Sequence, residues 1–419
     1  MLFKSYTLLS ILPSASAWPQ VMQMMKREEP PPRQPTFKSG RQNTGAIPGL
    51  AFNAREQLVN VGAGSGHEFQ SPGGGDLRGQ CPGLNAAANH KFIPHNGIVT
   101  IAQTVTGLGE AFNMSPDLAL FLAVVSVALS GDPLTSRWSI GGKFPTASSL
   151  FPANGLVSTH NRYEGDASIV RGDAYLNGGN VGVFQMRSWE HLYNLAETYT
   201  LDDAAAQSDY VTRWSILNNP YYFSAPFAGL VAPAAHNFVI NFMSNHSAEN
   251  PGGVLTRDVL KQFFAVTGEP GSFVHNRGQE RIPDNWYKRP LANAYNIPET
   301  VSDVLVNNAM YPGIVRFGGN TGTVNSFAGV DLTDLTGGAF NLATLSEGNN
   351  GACFLLQATL AGMPSVASPL LGTVGSLVGW VTQQLGPLNS KLGCPQLANF
   401  NNQLFNKFPG ASYSPAGTK

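Results

Sequence analysis

Charge is scarce in this sequence, and the little that is present nearly cancels. Only 12% of the 419 residues are Asp, Glu, Lys or Arg, and the formal net charge at pH 7 is −1. Proteins that bind nucleic acid through its phosphates carry a clear excess of Lys and Arg on one face. The composition therefore argues against nucleic acid as a partner.

Long apolar runs are also missing. A helix that spans a bilayer needs ~20 consecutive apolar residues, and the apolar stretch from Leu118 to Leu129 falls well short of that length. It is better interpreted as a buried core helix, because Ser115-Pro116-Asp117 before it is typical of a helix start. We therefore expect no membrane partner.

The first residues have the pattern of a secretory signal. Lys4 precedes a short apolar stretch that ends in the small-residue sequence Ser14-Ala15-Ser16-Ala17. Residues 1–17 are therefore expected to be a signal peptide and the protein to be secreted and extracellular. Residues 18–62 lack apolar periodicity and include a proline run, so we expect them to form a leader or a disordered segment.

Cysteine is rare, and its count is odd. In an oxidising compartment, three cysteines leave one thiol with a separate role or paired with another chain. Cys353 and Cys394 lie in the same C-terminal helical region and can pair, which would leave Cys81 over.

Strand-like alternation is scarce too, whereas apolar residues recur at helical spacing in several segments, including residues 98–108, 118–130, 202–217 and 227–243. The 46 glycines and 29 prolines indicate many turns and loops. The sequence thus predicts a mostly α fold. A single large helical domain with long loops is expected over residues 63–395, followed by a C-terminal tail at 396–419.

A thiol and a helix start coincide at Gln80-Cys81-Pro82-Gly83. Because proline is favoured in the first turn of a helix, the sulfur of Cys81 should lie next to the helix N-terminus. The helix dipole and the free N–H groups there favour a thiolate, which is a good nucleophile or metal ligand. The alternative is a buried structural cysteine that caps a helix, and these residues alone do not decide between the two.

This segment and the residues after it resemble the haem-thiolate peroxidase family of chloroperoxidases and unspecific peroxygenases. The matching positions are Cys81, Pro82, Asn85, Ala88, Asn89, His90, Pro94 and Gly97. Gln80 stands where that family commonly has proline. The resemblance implies a helical haem-binding domain, haem b as the cofactor, Cys81 as the ligand of its iron, and hydrogen peroxide as a co-substrate.

A second segment, Glu164-Gly165-Asp166-Ala167-Ser168, offers a carboxylate, a carbonyl and a hydroxyl within five residues. Such oxygen ligands suit magnesium, although Asp166 and Ser168 are also ordinary helix-capping residues. The segment resembles the Glu-Gly-Asp-x-Ser motif of the longer peroxygenases. That resemblance implies a magnesium ion, or a similar hard cation, bound by Glu164, Gly165 and Ser168. It also implies a C-terminal disulfide between Cys353 and Cys394.

The catalytic base is where the sequence departs from the family. The longer peroxygenases use a Glu with an Arg two helical turns before it, and matching from Asn219-Pro220 places Ala228 and Ala235 at those positions. His236 follows, and shorter family members use a histidine as the base. We therefore predict His236 as a candidate catalytic base, with simple packing in the helix as the alternative. Nearby apolar residues are expected to line a substrate channel or to pack in the core: Phe223, Phe227, Leu230 and Val231.

The resemblance implies hydrogen-peroxide-dependent oxidation or oxygenation of small apolar or aromatic molecules, with halide oxidation as a variant. The alternative is a haem-binding family member with a degenerate distal site, which would have little or no peroxidase activity and would bind or transform a non-redox ligand. Glycosylation is expected at two sequons of the secreted chain, at Asn113 and Asn245.

Overall fold

The computed structural model describes residues 27–45, 51–146, 153–159, 161, 163–366, 371–394, 397 and 399–413. The expected signal peptide at residues 1–17 lies outside the described residues.

Helices dominate the described chain, as the sequence predicts. Thirteen α-helices are present in it: α1 (Ala54–Gln57), α2 (Pro82–Asn89), α3 (Ile101–Phe112), α4 (Pro116–Ser130), α5 (Met186–Leu195), α6 (Leu201–Asn218), α7 (Ala228–Met243), α8 (Arg257–Phe263), α9 (Ile297–Met310), α10 (Leu332–Thr336), α11 (Asn350–Val366), α12 (Leu371–Leu392) and α13 (Pro409–Ser412). Long irregular connections and short 3-10 turns separate them.

The strands are short and antiparallel. They are β1 (Ile98–Thr100), β2 (Arg137–Ser139), β3 (Thr198–Tyr199), β4 (Phe223–Ser224), β5 (Leu255–Thr256), β6 (Val266–Thr267), β7 (Val274–His275), β8 (Gly318–Asn320) and β9 (Phe327–Gly329). β1 pairs with β2, β3 with β5 and β6 with β7, whereas β4, β8 and β9 form a three-stranded sheet. These short strand pairs connect loops to the helices, and in the described chain they do not build a separate sheet layer.

Helix α4 shows how local sequence sets the elements. Ser115 is its N-cap, Pro116 occupies its first turn, and the helix ends at Ser130, before Gly131. These are the bounds that the capping sequence predicts. The helix is apolar on every side, so burial against several neighbours stabilises it. It contacts α3, α11 and α12.

The helix that begins after Cys81 is held at the centre of the molecule. α2 contacts α3, α7 and α8, and its three alanines, Ala86 to Ala88, have no exposed surface. Small side chains allow the neighbouring helices to approach it closely. A second group, α6, α7 and α9, packs alongside, so α7 lies between the Cys81 helix and the rest of the core.

The segment before the helical domain has more structure than its composition indicates. Thr36 N donates to Met310 O at 2.8 Å and Asn43 Nδ2 to Tyr199 O at 2.9 Å, while Val59 and Val61 are buried in the core. The prediction that residues 18–62 are only a leader or a disordered segment therefore needs correction for residues 27–45 and 51–62. Apolar periodicity does not reveal this docking, because polar groups make most of it.

The C-terminal region also joins the domain. Phe405 and Phe408 are buried against Phe223, so these rings anchor residues 399–413 to the domain and the segment is not a free tail. The disulfide between Cys353 and Cys394 is confirmed, with the two Cα atoms 5.1 Å apart. In the described part of the chain, no helix is both long and apolar enough to cross a membrane.

Candidate active site

Cys81 is the N-cap of α2, and its side chain faces an apolar cavity. The cavity encloses about 1020 Å³, part of it open to solvent. Burial raises the pKa of the Cys81 thiol to about 11, while the nearby backbone N–H groups of Leu84 and Gly83 act in the opposite direction. The free thiol is thus neutral at ordinary pH, and a bound cation is needed to hold it as a thiolate.

Aromatic and aliphatic side chains make up most of the cavity wall. They include Leu108, Phe112, Leu122, Trp138, Val231, Phe238, Val239, Phe242 and Met243. Haem needs a large apolar slot with an axial ligand at its wall, and a Cys thiolate is one of the ligands that holds its iron. The described residues of the cavity fit that group in polarity and in having one free thiol.

A buried polar network supports the Cys81 loop from behind. Asn85 Nδ2 donates to Glu280 Oε1 at 2.9 Å, and Asn85 also exchanges hydrogen bonds with the backbone of Gly79. Arg171 Nε donates to Gln80 O at 3.0 Å, and its Nη2 lies 3.6 Å from Glu280 Oε1. Gln80, the position that departs from the family pattern, is thereby tied to the rest of the site through its backbone.

Sequence reasoning gave Arg171 no role and missed Glu280 altogether. Arg171 stands close to the Glu164 segment in the sequence and could have been noticed there. Glu280 lies far from both motifs along the chain, and no local pattern marks it.

The structure brings Glu164 and Ser168 to the same cavity as Cys81. Burial raises the pKa of Glu164 to about 7, and a hydrogen bond from Ser168 and the charge of Arg171 partly oppose that shift. Gly165 O accepts from Ser168 N at 3.2 Å. The three predicted cation ligands are therefore adjacent. Among the described residues, no group of three or more His, Cys, Asp or Glu side chains forms a ready-made metal site.

His236 is not brought together with Cys81. It lines a separate small cavity, its Nδ1 shares a hydrogen bond with Ser208 Oγ, and its Nε2 has no hydrogen-bond partner among the described residues. Burial lowers the pKa of His236 to about 3. The geometry therefore argues against His236 as the base, and that role stays an untested prediction.

The orientation of α7 explains why His236 lies outside the cavity of Cys81. Val231, Ala235, Phe238, Val239 and Phe242 line the cavity of Cys81, and their spacing is that of a single helix face. His236 is turned about 100° from Ala235 on the same helix. Of the four residues expected to line a channel, only Val231 does so; the other three pack elsewhere in the core.

The chain is similar to known peroxidases and peroxygenases. The family described as "Peroxidase, family 2" matches residues 67–291. A dothistromin biosynthesis peroxidase of Dothistroma septosporum is 38% identical over 377 residues, covering 86% of this chain and 88% of the relative. An aromatic peroxidase of Fusarium equiseti is 35% identical over 86% of this chain and 87% of its own length. An aromatic peroxygenase of Cyclocybe aegerita is 28% identical over 69% of this chain and 72% of its own length.

Proposed function

Because this chain belongs to the family 2 peroxidases, we propose that its apolar cavity is the haem site and that Cys81 is the ligand of the iron. The chain is a peroxidase or peroxygenase, and it carries out hydrogen-peroxide-dependent oxidation. The observation that supports the assignment of the site is the single free thiol, which lies at a helix N-terminus and faces a large apolar cavity.

Haem supplies the oxidation chemistry when it is bound with a thiolate ligand. The contribution of Cys81 is an anionic sulfur, which the N–H groups of the first turn of α2 stabilise. Since burial keeps the free thiol neutral, binding of the cofactor is accompanied by release of the thiol proton. The network of Asn85, Glu280 and Arg171 holds the sulfur in position.

The cavity wall indicates an aromatic substrate of small size. Phe112, Phe238 and Phe242 line it, and aromatic rings pack well on other aromatic rings in offset or edge-to-face arrangements. Two of the relatives are named for aromatic oxidation, which supports the same substrate class here. Halide oxidation by the same site is a variant of this proposal.

One observation favours the second candidate, a haem protein of low peroxidase activity. Ala235, at the position of the family's catalytic Glu, places a methyl group in the cavity, and Ala228 lines a different cavity. Neither alanine can move a proton from one peroxide oxygen to the other. We therefore expect peroxide turnover to be slower than a positioned carboxylate would allow.

Magnesium, or a similar hard cation, is proposed at Glu164, Gly165 and Ser168. A buried carboxylate whose pKa has risen to about 7 is stabilised when a cation compensates its charge, and oxygen ligands suit magnesium. Glu164→Gln and Ser168→Ala are each expected to lower the cation content of chelator-treated protein, measured by elemental analysis. A full complement of cation in both variants would refute the site.

Secretion is part of the proposal and rests on residues 1–17. Of the two glycosylation sequons, Asn113 is buried and its Nδ2 donates to Pro290 O at 2.6 Å, so it is unavailable in the folded protein. Asn245 is partly exposed and is the better candidate for a glycan.

Turnover of a phenolic dye with hydrogen peroxide tests the function directly. Full-length protein loaded with haem is compared with Cys81→Ala loaded to the same haem content. We expect peroxide-dependent oxidation in the first and a large loss of it in the second. No turnover by fully loaded wild-type protein would favour the second candidate function.

A further inference from the structure

A second cavity meets the apolar cavity at Ser168, which lines both. It encloses about 860 Å³, part of it open to solvent, and its wall is mostly polar. Three guanidinium groups line it, those of Arg27, Arg171 and Arg187. We call it the arginine cavity.

Two of the arginines share one aromatic ring. The guanidinium of Arg187 lies 3.7 Å from the ring centre of Trp214 and that of Arg27 lies 5.7 Å from it. Arg187 Nη1 also donates to Tyr210 Oη at 2.9 Å. Burial lowers the pKa of Arg27 most; the charge of Asp173 opposes that shift, and the charge of Arg187 adds to it. The two positive charges are thus held close together by stacking, although they repel each other.

Arg171 is the deeply buried member, with only 2% of its side chain exposed. Its Nε donates to Gln80 O, but its Nη2 has no hydrogen-bond partner among the described residues. The nearest acid oxygen, Glu280 Oε1, is at 3.6 Å, which is an ion-pair distance but too long for a hydrogen bond. A buried donor without an acceptor is costly, so an acceptor brought by a ligand would stabilise it.

One acid, Asp173, lines the arginine cavity and can offset only part of the three positive charges. Asp173 Oδ1 accepts from Ala167 N and Ser215 Oγ, and its Oδ2 accepts from Asn219 Nδ2, so the protein itself already occupies both of its oxygens. Burial raises the pKa of Asp173. Because its wall carries three guanidinium groups and one such acid, the arginine cavity favours an anionic ligand.

We propose that the arginine cavity binds a carboxylate carried by the molecule that occupies the apolar cavity. The planar fork of arginine matches a carboxylate, and Ser168 lines both cavities, so the two are adjacent. A ligand with an apolar body and a carboxylate substituent would suit the apolar cavity and the arginine cavity together. This inference rests on the proposed function. The carboxylate belongs either to the cofactor, as a haem propionate, or to an aromatic acid that binds beside it.

Two measurements on full-length protein distinguish these sources. The first follows haem loss from the loaded protein to an excess of a haem-scavenging globin. The second is calorimetric titration with 1-naphthoate and with the neutral 1-naphthamide. Both use wild type, Arg187→Gln and Arg27→Gln. The control is Arg257→Gln, which removes a stacked arginine at Tyr193, outside the arginine cavity.

A haem propionate in the arginine cavity predicts haem loss about tenfold faster in Arg187→Gln and unchanged in Arg257→Gln, since one charged hydrogen-bonding group is lost. A free aromatic acid there predicts that naphthoate binds about tenfold more tightly than naphthamide, with the difference lost in Arg187→Gln. Arg27→Gln should shift the same readout in the same direction. Either pattern supports the proposal and names the source.

The inference is overturned if haem loss is unchanged and naphthoate has no advantage over naphthamide in wild type. Should Arg187→Gln not fold, as judged by thermal unfolding, Arg27→Gln alone decides the question. Purified protein that cannot be loaded with haem would contradict the proposed function instead, and the calorimetric titration would still test the anion site.

Discussion

At the scale of single residues, the site depends on which atoms face the cavity. The sulfur of Cys81 faces it, as do the side chains of Glu164 and Ser168, whereas the imidazole of His236 does not. On α7, Ala235 places its methyl group in the cavity of Cys81, whereas the next residue, His236, places its imidazole outside it. Proton transfer is therefore the step that these residues support least.

A carboxylate at position 235 should supply the missing group. Ala235→Glu is expected to raise the initial rate of peroxide-dependent dye oxidation by ~10²–10⁴-fold, the range of positioned general bases. Ala235→Gln, which has the same shape without the acid, serves as the control. His236→Gln should leave the rate unchanged. A large loss of rate in His236→Gln would instead restore His236 as the base.

The protonation of His236 can be tested through stability. Burial lowers its pKa in the folded protein to about 3, whereas an unfolded histidine titrates near ~6.5. The neutral imidazole therefore contributes stability that is present above ~6.5 and is lost as pH falls towards the folded value. Between pH 7 and pH 5, the free energy of unfolding should fall by ~2 kcal/mol more in wild type than in His236→Gln. Urea unfolding at the two pH values measures this, and equal falls would contradict the burial.

The residues that sequence could identify are those that lie close together in the chain. Cys81, Asn85 and Asn89 form one short motif and Glu164 and Ser168 form another, so their resemblance to a known family was enough to propose them. Glu280 reaches Asn85 across 195 positions, and only the packing of the whole domain creates that contact. Sequence places His236 directly after Ala235 but does not show which face of α7 lines the cavity, so its role as the base stays a prediction.

At the scale of elements, α2 and the loop before it form the platform for Cys81. Asn85 joins this loop to Glu280 through three hydrogen bonds, and both side chains are buried. The platform is therefore held by buried polar contacts, and water cannot replace them because it does not reach these side chains.

Asn85→Ala should break that platform. It removes three hydrogen bonds and leaves Glu280 Oε1 without a donor, so we expect the free energy of unfolding to fall by ~2–4 kcal/mol. Urea unfolding is the measurement. Asn60→Ala, which removes one exposed bond to Gly62 N, should change it by less than ~1 kcal/mol. Similar losses in both variants would show that Asn85 has no special role.

The helices themselves were largely predictable from sequence. The bounds of α4, α6 and α7 lie close to those expected from apolar spacing and capping residues. Helix α5 ends at Leu195, and three residues later the short strand Thr198–Tyr199 pairs with β5. A two-residue strand leaves no periodic pattern, so sequence cannot separate it from the end of a helix.

At the scale of the molecule, the described N-terminal segment fastens distant helices together. Its Arg41 pairs with Asp303 of α9, and Asp303 also accepts from Tyr295 Oη at 2.7 Å and from Asn241 Nδ2 at 3.3 Å. Only 1% of the Asp303 side chain is exposed. The segment therefore completes a buried polar cluster and is more than a leader.

Removing one partner of this ion pair should be costly. Arg41→Met leaves the Asp303 carboxyl without that cation, and we expect the free energy of unfolding to fall by ~3 kcal/mol. Arg41→Met combined with Asp303→Asn should recover part of the loss, because no buried charge then lacks its partner. Urea unfolding of both variants checks this, and additive losses would show that the two residues are not coupled.

The central claim is that Cys81 binds the haem iron as a thiolate. The absorption spectrum of the reduced protein under carbon monoxide tests it most directly, because a thiolate ligand shifts the main band of the complex to the red. Wild type and Tyr163→Phe, a control in the same cavity, should both show the shifted band, and Cys81→His should lose it while still binding haem. Survival of the shifted band in Cys81→His would contradict the claim.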